Sequence, residues 1–278
     1  MISKLYRKYD NQIHPRIEGF KSARYFRAGL KRIIFHSLEN FSLEEGKEMN
    51  IQQEEWQNLI ILDACRHDLF EEVMGESDFR YSPGSNSSEF IIKNFSEGDW
   101  SDVVYVTANP HFHESQFTDL TDKKPEDVFH TVFHSYEDKW DEEEATVMPR
   151  ALMEDFKTAK KLFPDKKIIA HFMQPHYPFV NSDIKVKGIN PELDHDKEGL
   201  SAWDLAEKGE YSRDEIWKEY RENLEFVLDE ILEDLKDLEG KTIITSDHGN
   251  LVGEKGFYGH PYKVHAKPLI KVPWHEVK

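Results

Sequence analysis

Cysteine is nearly absent from this sequence, since Cys65 is the only one in 278 residues. A single cysteine excludes an intrachain disulfide and favours a reducing, intracellular setting. Long apolar runs are also missing, because no stretch approaches the roughly 18 apolar residues that a membrane-spanning helix needs. The N-terminal stretch MISKLYRKYDNQIHPRI lacks the apolar core of a signal peptide. These absences lead us to expect a cytoplasmic protein.

Basic residues are outnumbered by acidic ones over most of the chain, whose formal net charge is −18. Residues 1–38 carry nine Lys and Arg against two acidic residues, so the remainder carries about −25. An acidic body argues against nucleic acid as a partner. The apolar residues of the basic segment recur at helical spacing. This pattern predicts an amphipathic helix that either packs on the protein or contacts the inner face of an anionic membrane through residues 20–40.

The length suits one large α/β domain with a small appendage. We place a basic helical extension and an acidic linker at residues 1–50 and the main domain at residues 51–278.

The stretch Thr242–Asn250, TIITSDHGN, ends a short apolar run with an aspartate and a histidine. Such a run followed by a turn signal predicts a buried strand of an α/β sheet. Ligands of these sheets bind beyond the carboxyl ends of the strands, where Asp247 and His248 would lie. A carboxylate beside an imidazole suits a divalent metal ion. The alternative is that Asp247 caps a following helix and His248 is a surface residue.

A second apolar run, Asn58–Asp63, ends in the same way and is followed by ACRHD. Asp63 and Asp247 are 184 residues apart, so any site that they share must be assembled by the fold. Arg66 and Asp68, at the start of the next predicted helix, are expected to pair with each other rather than to act in catalysis.

DACRHD after a first strand, SDHGN after a late strand and GHP shortly afterwards resemble the alkaline phosphatase superfamily. The nearest branch is the sulfatase-like hydrolases and phosphotransferases, and the resemblance runs from about residue 57 to the C-terminus. It implies a three-layer α/β sandwich with a mostly parallel central sheet. It also implies a metal-dependent hydrolase or transferase that acts on phosphate or sulfate esters through a covalent serine intermediate. The Cys-x-Pro-Ser-Arg signature of sulfatases is absent, which weakens the strict sulfatase interpretation.

The loop Ser82–Ser88, SPGSNSS, precedes a predicted helix with the sequence EFIIKNF. Hydroxyl residues at such a junction are good helix N-caps. A hydroxyl there also lies where backbone N–H groups stabilise an anion. In the resembled superfamily the nucleophile occupies the loop before the second helix. Alignment with that pattern makes Ser85 the expected nucleophile, with Ser87 as the runner-up.

Three further residues match positions that the superfamily uses to bind the transferred group. The segment Gln174–Phe179, QPHYPF, follows the predicted strand KIIAHFM, and the resemblance assigns His176 a contact to that group. His171, inside the strand, is interpreted as a core histidine. His260 and Lys263 match a histidine and a basic residue beyond the Asp-His pair. Together these groups would neutralise charge in the transition state.

Two loops follow predicted strands at the same edge of the sheet. His111 and His113 come after the strand DVVYVTA and are interpreted as solvated loop residues, although they could reach the site. The segment Asn181–Tyr211 has no clear period and is interpreted as a lid over the site or as a plain insertion. A long helix with an N-terminal capping box is predicted next, at Ser212–Leu238.

The resemblance implies a divalent ion with four protein ligands, Asp63, Ser85, Asp247 and His248. Oxygen-rich coordination with one imidazole allows Zn²⁺, Mn²⁺, Mg²⁺ or Ca²⁺. His260 is alternatively a ligand of a second metal. Three functions stay open: an ester hydrolase or transferase, a transferase that moves a phospho-headgroup onto a lipid or glycan at a membrane face, and an inert relative that serves as a binding or scaffold protein.

Overall fold

The computed structural model describes residues 43–184, 186 and 200–277. The strands are β1 (Asn58–Leu62), β2 (Asp78–Tyr81), β3 (Trp100–Thr107), β4 (Phe129–His134), β5 (Trp140–Asp141), β6 (Thr146–Val147), β7 (Lys167–Phe172), β8 (Thr242–Thr245), β9 (Leu251–Glu254), β10 (Phe257–Gly259) and β11 (Lys271–Glu276). The helices are α1 (His67–Met74), α2 (Ser87–Phe95), α3 (Glu114–Thr121), α4 (Pro125–Val128), α5 (Ser135–Asp138), α6 (Pro149–Leu162), α7 (Ala202–Glu207), α8 (Arg213–Lys236) and α9 (Lys267–Ile270), with a short 3₁₀ helix at Pro110–Phe112. The expected basic helix and its membrane contact at residues 20–40 lie outside the described residues.

The central sheet has seven strands in the order β2-β11-β8-β1-β7-β3-β4. The pairs that join β8, β1, β7, β3 and β4 are all parallel, whereas β11 runs antiparallel to both of its neighbours. Parallel strands that are buried on both faces read as continuous apolar runs, as the NLIIL of β1 does. The prediction of an α/β fold with a mostly parallel central sheet is confirmed.

Helices cover both faces of the sheet, which makes three layers. Alternate residues of β1 enter different cores: Ile60 and Leu62 pack on one face, Leu59 and Ile61 on the other. The first face is covered by apolar residues of α1, α6 and α8. The second face is covered by those of α2 and α3, in a cluster rich in aromatic rings around Phe95. Strand β1 is therefore the central strand of the sheet, and Asp63, the residue that follows it, is buried.

The predicted long helix is present as α8. Its capping box is formed as predicted, because the Ser212 hydroxyl accepts from the Glu215 N–H while the Glu215 carboxylate accepts from the Ser212 N–H. Residues 185 and 187–199, in the segment between β7 and α7, lie outside the described residues, so the choice between a lid and an insertion stays a prediction.

The described part of the linker, from residue 43 onwards, lies against the sheet. Glu48 forms a parallel bridge with Tyr81 of β2, and the Met49 N–H donates to the Tyr81 carbonyl at 2.9 Å. Met49 and Ile51 are buried in the core on the second face. The division at residue 50 stays a prediction.

Candidate active site

The carboxyl ends of three neighbouring strands meet at one point of the sheet edge. Strand β1 lies between β7 and β8, so Asp63 after β1 adjoins Asp247 and His248 after β8. His171 is the next-to-last residue of β7 and pairs with Ile61 of β1. The fold thus brings together side chains that are distant in sequence, as expected where parallel strands end.

The turns that follow β1 and β8 are fixed to each other. Ala64 has a positive φ of 60°, which is uncommon for a residue other than glycine. Its N–H donates to Asp247 Oδ1 at 3.0 Å, and its carbonyl accepts from the buried Tyr220 hydroxyl. The Cys65 N–H donates to Ser246 Oγ at 2.8 Å. These bonds hold the backbone in an unfavourable conformation and leave Asp247 Oδ2 directed at the site.

Four buried side chains form a compact carboxylate–imidazole cluster, namely Asp63, His171, Asp247 and His248. His248 Nε2 lies 3.6 Å from Asp63 Oδ1 and 3.4 Å from Asp247 Oδ2. His248 Nδ1 lies 2.8 Å from the Gly249 carbonyl, so Nδ1 must donate, and in the corresponding neutral tautomer the lone pair is on Nε2. That tautomer is the one a metal ligand needs.

The pKa values of the two carboxylates of the cluster are shifted in opposite directions. Burial, with the negative charge of Asp247 close by, raises the pKa of Asp63 well above its ordinary value. Burial acts to raise the pKa of Asp247 too, but the adjacent imidazoles of His248 and His171 and the hydrogen bonds from Ala64 and Ser87 hold it below its ordinary value. A cation between the carboxylates would relieve the cost of burying two like charges together.

Ser87 begins helix α2 and directs its hydroxyl at the cluster. Asn86 is the N-cap, and its side chain accepts from the Glu89 N–H. Ser87 Oγ donates to Asp247 Oδ2 at 2.8 Å and lies 3.3 Å from His248 Nε2. The first turn of a helix presents unpaired backbone N–H groups and a partial positive charge. The Ser87 hydroxyl therefore lies where an anionic group would be stabilised.

Ser85 does not face Asp63 and Asp247, so the expected geometry of Ser85 is wrong. Its hydroxyl lies 2.9 Å from Glu89 Oε2 and 3.0 Å from the Pro261 carbonyl, and its N–H also donates to Glu89. The physical reason is the helix cap. Asn86 and Glu89 have the spacing of a capping box, which fixes the helix start and turns the preceding residue toward Glu89. The spacing of Asn86 and Glu89 is a local signal for a helix that begins at Ser87, as it does in the structure.

A cavity of about 80 Å³ opens beside the cluster. It is lined by Asp63, Asn86, Ser87, Ser88, Asn109, His111, His176 and His260. Of the residues expected at the site from the resemblance, Asp63, His176 and His260 line the cavity, whereas Ser85, Asp247, His248 and Lys263 are not among the lining residues. The Lys263 ammonium lies 4.9 Å from the centroid of the Tyr262 ring.

His176 and His260 lie together on the cavity wall, with ring centroids 5.1 Å apart, and His260 lies 4.7 Å from His248. His176 Nδ1 donates to the Tyr177 carbonyl at 2.6 Å, which leaves Nε2 as the acceptor of the neutral ring. Burial lowers the pKa of His176 to about 4, with the weaker influence of His248 in the same direction. Burial also lowers the pKa of His260 well below its ordinary value, as do His248 and His176. Both rings are thus neutral near pH 7.

The sequence interpretation gave Asn109 no role and treated His111 as a solvated loop residue that could reach the site, whereas both residues line the cavity. Asn109 Nδ2 donates to Asp63 Oδ2 at 2.9 Å, while Asn109 Oδ1 accepts from the His111 N–H at 2.9 Å. Asn109 thereby connects Asp63 to the loop after β3. The signal for both residues was their position beyond a predicted strand at the same sheet edge.

His171 was interpreted as a core histidine, and it is fully buried in β7, but it also lies beside the two carboxylates of the cluster. Its Nε2 lies 3.9 Å from Asp63 Oδ2 and 3.8 Å from Asp247 Oδ2. Asp63, His171 and Asp247 offer ligand atoms that all lie within 4.8 Å of one another. A histidine in the otherwise apolar strand KIIAHF, one residue before its end, was the available signal.

The residues of the cluster fit a divalent metal ion. Asp63 Oδ1 and His171 Nε2 are buried and have no hydrogen-bond partner within the described part of the chain. Buried polar atoms without partners are rare and point to a missing ion or water. The donor set of two carboxylates, imidazole nitrogen and a serine hydroxyl is one that binds Zn²⁺ or Mn²⁺.

Arg66 and Asp68 form the pair that the sequence analysis predicted. Arg66 donates to Asp68 at 2.8 Å through Nε and at 2.6 Å through Nη2. Arg66 also donates to the Asn250 carbonyl and lies over the Trp217 ring. These contacts fasten α1 to the loop after β8 and give Arg66 a structural role.

The sequence matches no protein-family model and no curated protein. The structure is similar to an integral membrane protein, lipooligosaccharide phosphoethanolamine transferase A from Neisseria meningitidis, with 13% identity and a TM-score of 0.49 over 99% of this chain and 58% of that one. It is also similar to the C-terminal periplasmic domain of EcEptC from Escherichia coli in complex with zinc, with 12% identity and a TM-score of 0.46 over 82% of this chain and 75% of that one. A third similar structure is a protein in the alkaline phosphatase superfamily from Vibrio parahaemolyticus, with 13% identity and a TM-score of 0.40 over 92% of this chain and 69% of that one.

At these identities the likeness concerns the fold alone. The chain spans 58% of the length of the Neisseria membrane protein.

The expected cytoplasmic location is contradicted by these matches, since one similar structure is a periplasmic domain and another is an integral membrane protein. Within the described residues, we find no helix with both the length and the apolar character that crossing a membrane requires.

Gly249, the residue after His248, lies so close to the Pro268 backbone that a side chain has no room there. A Cβ at this position would lie 2.2 Å from the Pro268 carbonyl oxygen. We expect Gly249→Ala to displace α9 or the His248 loop, to destabilise the protein by about 1–3 kcal/mol, and to weaken metal binding. Thermal unfolding with and without Zn²⁺ measures both effects.

Gly46→Ala is the control for Gly249→Ala. Gly46 has a φ of +77° and no neighbour within 4 Å of an added Cβ, so the change strains the backbone without touching the site. It should lower stability alike with and without Zn²⁺. An equal loss of Zn²⁺ stabilisation in both variants would contradict the role given to the close approach at Gly249.

Proposed function

We propose that this protein is a metal-dependent hydrolase or transferase of phosphate esters that uses Ser87 as its nucleophile. The observation that carries the proposal is the position of the Ser87 hydroxyl. It lies at the start of α2, 2.8 Å from Asp247 Oδ2 and 3.3 Å from His248 Nε2, on the wall of the cavity. A nucleophile, a donor set for a cation and a cavity for the substrate thus coincide.

Asp63, Asp247 and His248 would hold the divalent ion, with the Ser87 hydroxyl beside them. Such an ion lowers the pKa of a neighbouring hydroxyl and offsets negative charge on a transferred phosphoryl group. The N–H groups at the start of α2 would add to that stabilisation, because they are fixed in place before the substrate arrives.

In the first step Ser87 Oγ forms a bond to phosphorus, and the bond between phosphorus and the leaving alcohol oxygen breaks. The Ser87 hydroxyl donates to Asp247 Oδ2, which orients it, and its proton leaves to water at the cavity mouth. The leaving alkoxide takes its proton from water at the cavity mouth. The product of this step is a phosphoester on Ser87.

In the second step the oxygen of water or of an acceptor alcohol bonds to phosphorus, and the bond from phosphorus to Ser87 Oγ breaks. His176 is suited to take the proton of the attacking oxygen, because its Nδ1 is committed to the Tyr177 carbonyl and its Nε2 is the free base. Ser87 Oγ recovers its proton from water at the cavity mouth. Whether water or an alcohol attacks decides between hydrolysis and transfer.

His260 borders the same space and is proposed to bind an oxygen of the substrate. Its Nδ1 lies 2.7 Å from Asn250 Oδ1, which fixes the ring next to His248. Lys263 keeps the proposed role of neutralising substrate charge only if its side chain turns from the Tyr262 ring toward the cavity. The reaction is of the same class as that named for the phosphoethanolamine transferase among the similar structures.

The proposal is tested on the purified full chain by its metal content and its activity on three substrate types. Aryl phosphate, phosphodiester and aryl sulfate are offered with Zn²⁺, Mn²⁺, Mg²⁺ or Ca²⁺, each with and without an alcohol acceptor. We expect bound metal and turnover of a phosphate ester that a chelator abolishes. A protein that binds no divalent metal, or that turns over none of these esters in any of the metals, would argue for a binding or scaffold role instead.

A further inference from the structure

His171 is a buried imidazole whose Nε2 has no hydrogen-bond partner among the described residues. It comes from the next-to-last position of β7, on the side of Asp63 opposite to His248. Asp63 Oδ2 is its neighbour at 3.9 Å, whereas Asp63 Oδ1 is the neighbour of His248 at 3.6 Å. The Asp63 carboxylate therefore lies between two imidazoles.

Neither tautomer of His171 gives a satisfactory arrangement by itself. Its Nδ1 lies 3.0 Å from the Tyr105 hydroxyl, which can donate or accept. If Tyr105 donates, the N–H on Nε2 points at carboxylate oxygens 3.8 and 3.9 Å away, too far for a hydrogen bond. If Tyr105 accepts, a lone pair on Nε2 faces two carboxylates. A buried acceptor that faces other acceptors is costly unless a cation lies between them.

The separations match those of ligands that share one ion. Two ligand atoms at bonds of ~2.0–2.2 Å cannot be more than about 4.4 Å apart. The distances from His171 Nε2 to the two carboxylates are 3.9 and 3.8 Å, and those from His248 Nε2 are 3.6 and 3.4 Å. All four are below that limit, so neither imidazole has to move far to bind an ion held by Asp63 and Asp247.

We propose that His171 is a ligand of the metal ion, and that this second imidazole makes the centre selective for Zn²⁺ over Mg²⁺. The inference rests on the proposed function, because it concerns the same ion. Imidazole nitrogen favours Zn²⁺, while Mg²⁺ prefers a shell made of oxygen atoms. A centre with one imidazole and several oxygens accepts either ion, whereas a second imidazole shifts the preference.

The test compares Zn²⁺ and Mg²⁺ affinities of the full chain after removal of metal by a chelator. We expect His171→Asn to lower Zn²⁺ affinity by about 10-fold or more while Mg²⁺ affinity changes little. His67→Gln is the matched control, because His67 is also a buried histidine but contacts the Ser77 carbonyl and the Phe79 ring. It should leave both affinities unchanged.

A second measurement on the wild-type protein does not depend on how the variant folds. The imidazole ¹⁵N resonance of His171 Nε2 should shift on addition of Zn²⁺, as a nitrogen does when it binds a metal. An unshifted resonance, an unchanged Zn²⁺ affinity in His171→Asn, or an equal loss of Zn²⁺ and Mg²⁺ affinity would each overturn the inference. Failure of the wild type to bind either ion would overturn the proposed function as well, so the two failures are distinguishable.

Discussion

Ser87→Ala is expected to abolish the covalent intermediate and to lower kcat/KM on the order of 10³-fold or more, as the loss of an activated nucleophile does in other enzymes. The fold should persist, because Asn86 and not Ser87 is the N-cap of α2. Metal binding should weaken less than activity, since both carboxylates and His248 remain. The measurements are steady-state kinetics on the best phosphate ester and mass spectrometry of the enzyme trapped during turnover.

Ser85→Ala is the matched control, two residues away in the same loop. Its hydroxyl lies against Glu89 and the Pro261 carbonyl, so its removal should loosen the contact between the two loops without removing the nucleophile. We expect the variant to be labelled on Ser87 and to keep most of its activity. A phosphorylated peptide that carries the label on Ser85, or full activity in Ser87→Ala, would show that Ser87 is not the nucleophile.

The parts of the site that could be predicted are those that depend on where strands end. NLIILD and TIITSD are apolar runs that finish in an aspartate, and the parallel sheet brings the ends of neighbouring strands together. Asp63, Asp247 and His248 could therefore be named without the structure. The helix of Ser87–Phe95 and the capping box of α8 could also be predicted, because their signals are local in the sequence.

The errors arose where a side chain's direction depends on distant partners. Ser85 and Ser87 are chemically alike, and only the Glu89 carboxylate and the loop at Pro261 decide which hydroxyl faces Asp247. His171 is one position from the end of β7, and its burial suggested a core residue until Asp63 and Asp247 were seen beside it. The contact of Ser85 with Glu89 is local, but the contact of Ser85 with Pro261 and those of His171 with the two carboxylates are tertiary, and no local pattern contains them.

Asp63→Asn is expected to stabilise the metal-free protein and to remove most of its stabilisation by Zn²⁺. Burial and the nearby charge of Asp247 raise the pKa of Asp63, so its ionised form costs stability in the absence of a cation. An asparagine keeps an acceptor for Asn109 Nδ2, and its amide N–H₂ would face His248 Nε2 from the position of Oδ1. We expect a gain on the order of 1 kcal/mol, about 2–4 °C in Tm, in the presence of a chelator.

The pH dependence of this gain has a definite sign. An aspartate with a raised pKa in the folded state adds stability that is fully present below its unfolded pKa and is lost as the pH rises through the folded value. The difference in Tm between Asp63→Asn and the wild type should therefore be small near pH 3.8, the ordinary value, and should grow as the pH rises. Thermal unfolding in a chelator across that range measures it.

Zn²⁺ should reverse the order of stability, so that the wild type becomes more stable than Asp63→Asn. A ligand at 100 times its Kd stabilises the folded state by about 2.7 kcal/mol, a gain that the variant with one carboxylate fewer should largely lose. Asp68→Asn is the control, because burial of Asp68 is outweighed by its bonds to Arg66, which hold its pKa below the ordinary value. That change should lower stability with and without metal. If Asp63→Asn is less stable than the wild type in chelator, or keeps the full Zn²⁺ stabilisation, then Asp63 is not a carboxylate held at a stability cost for the sake of a metal ion.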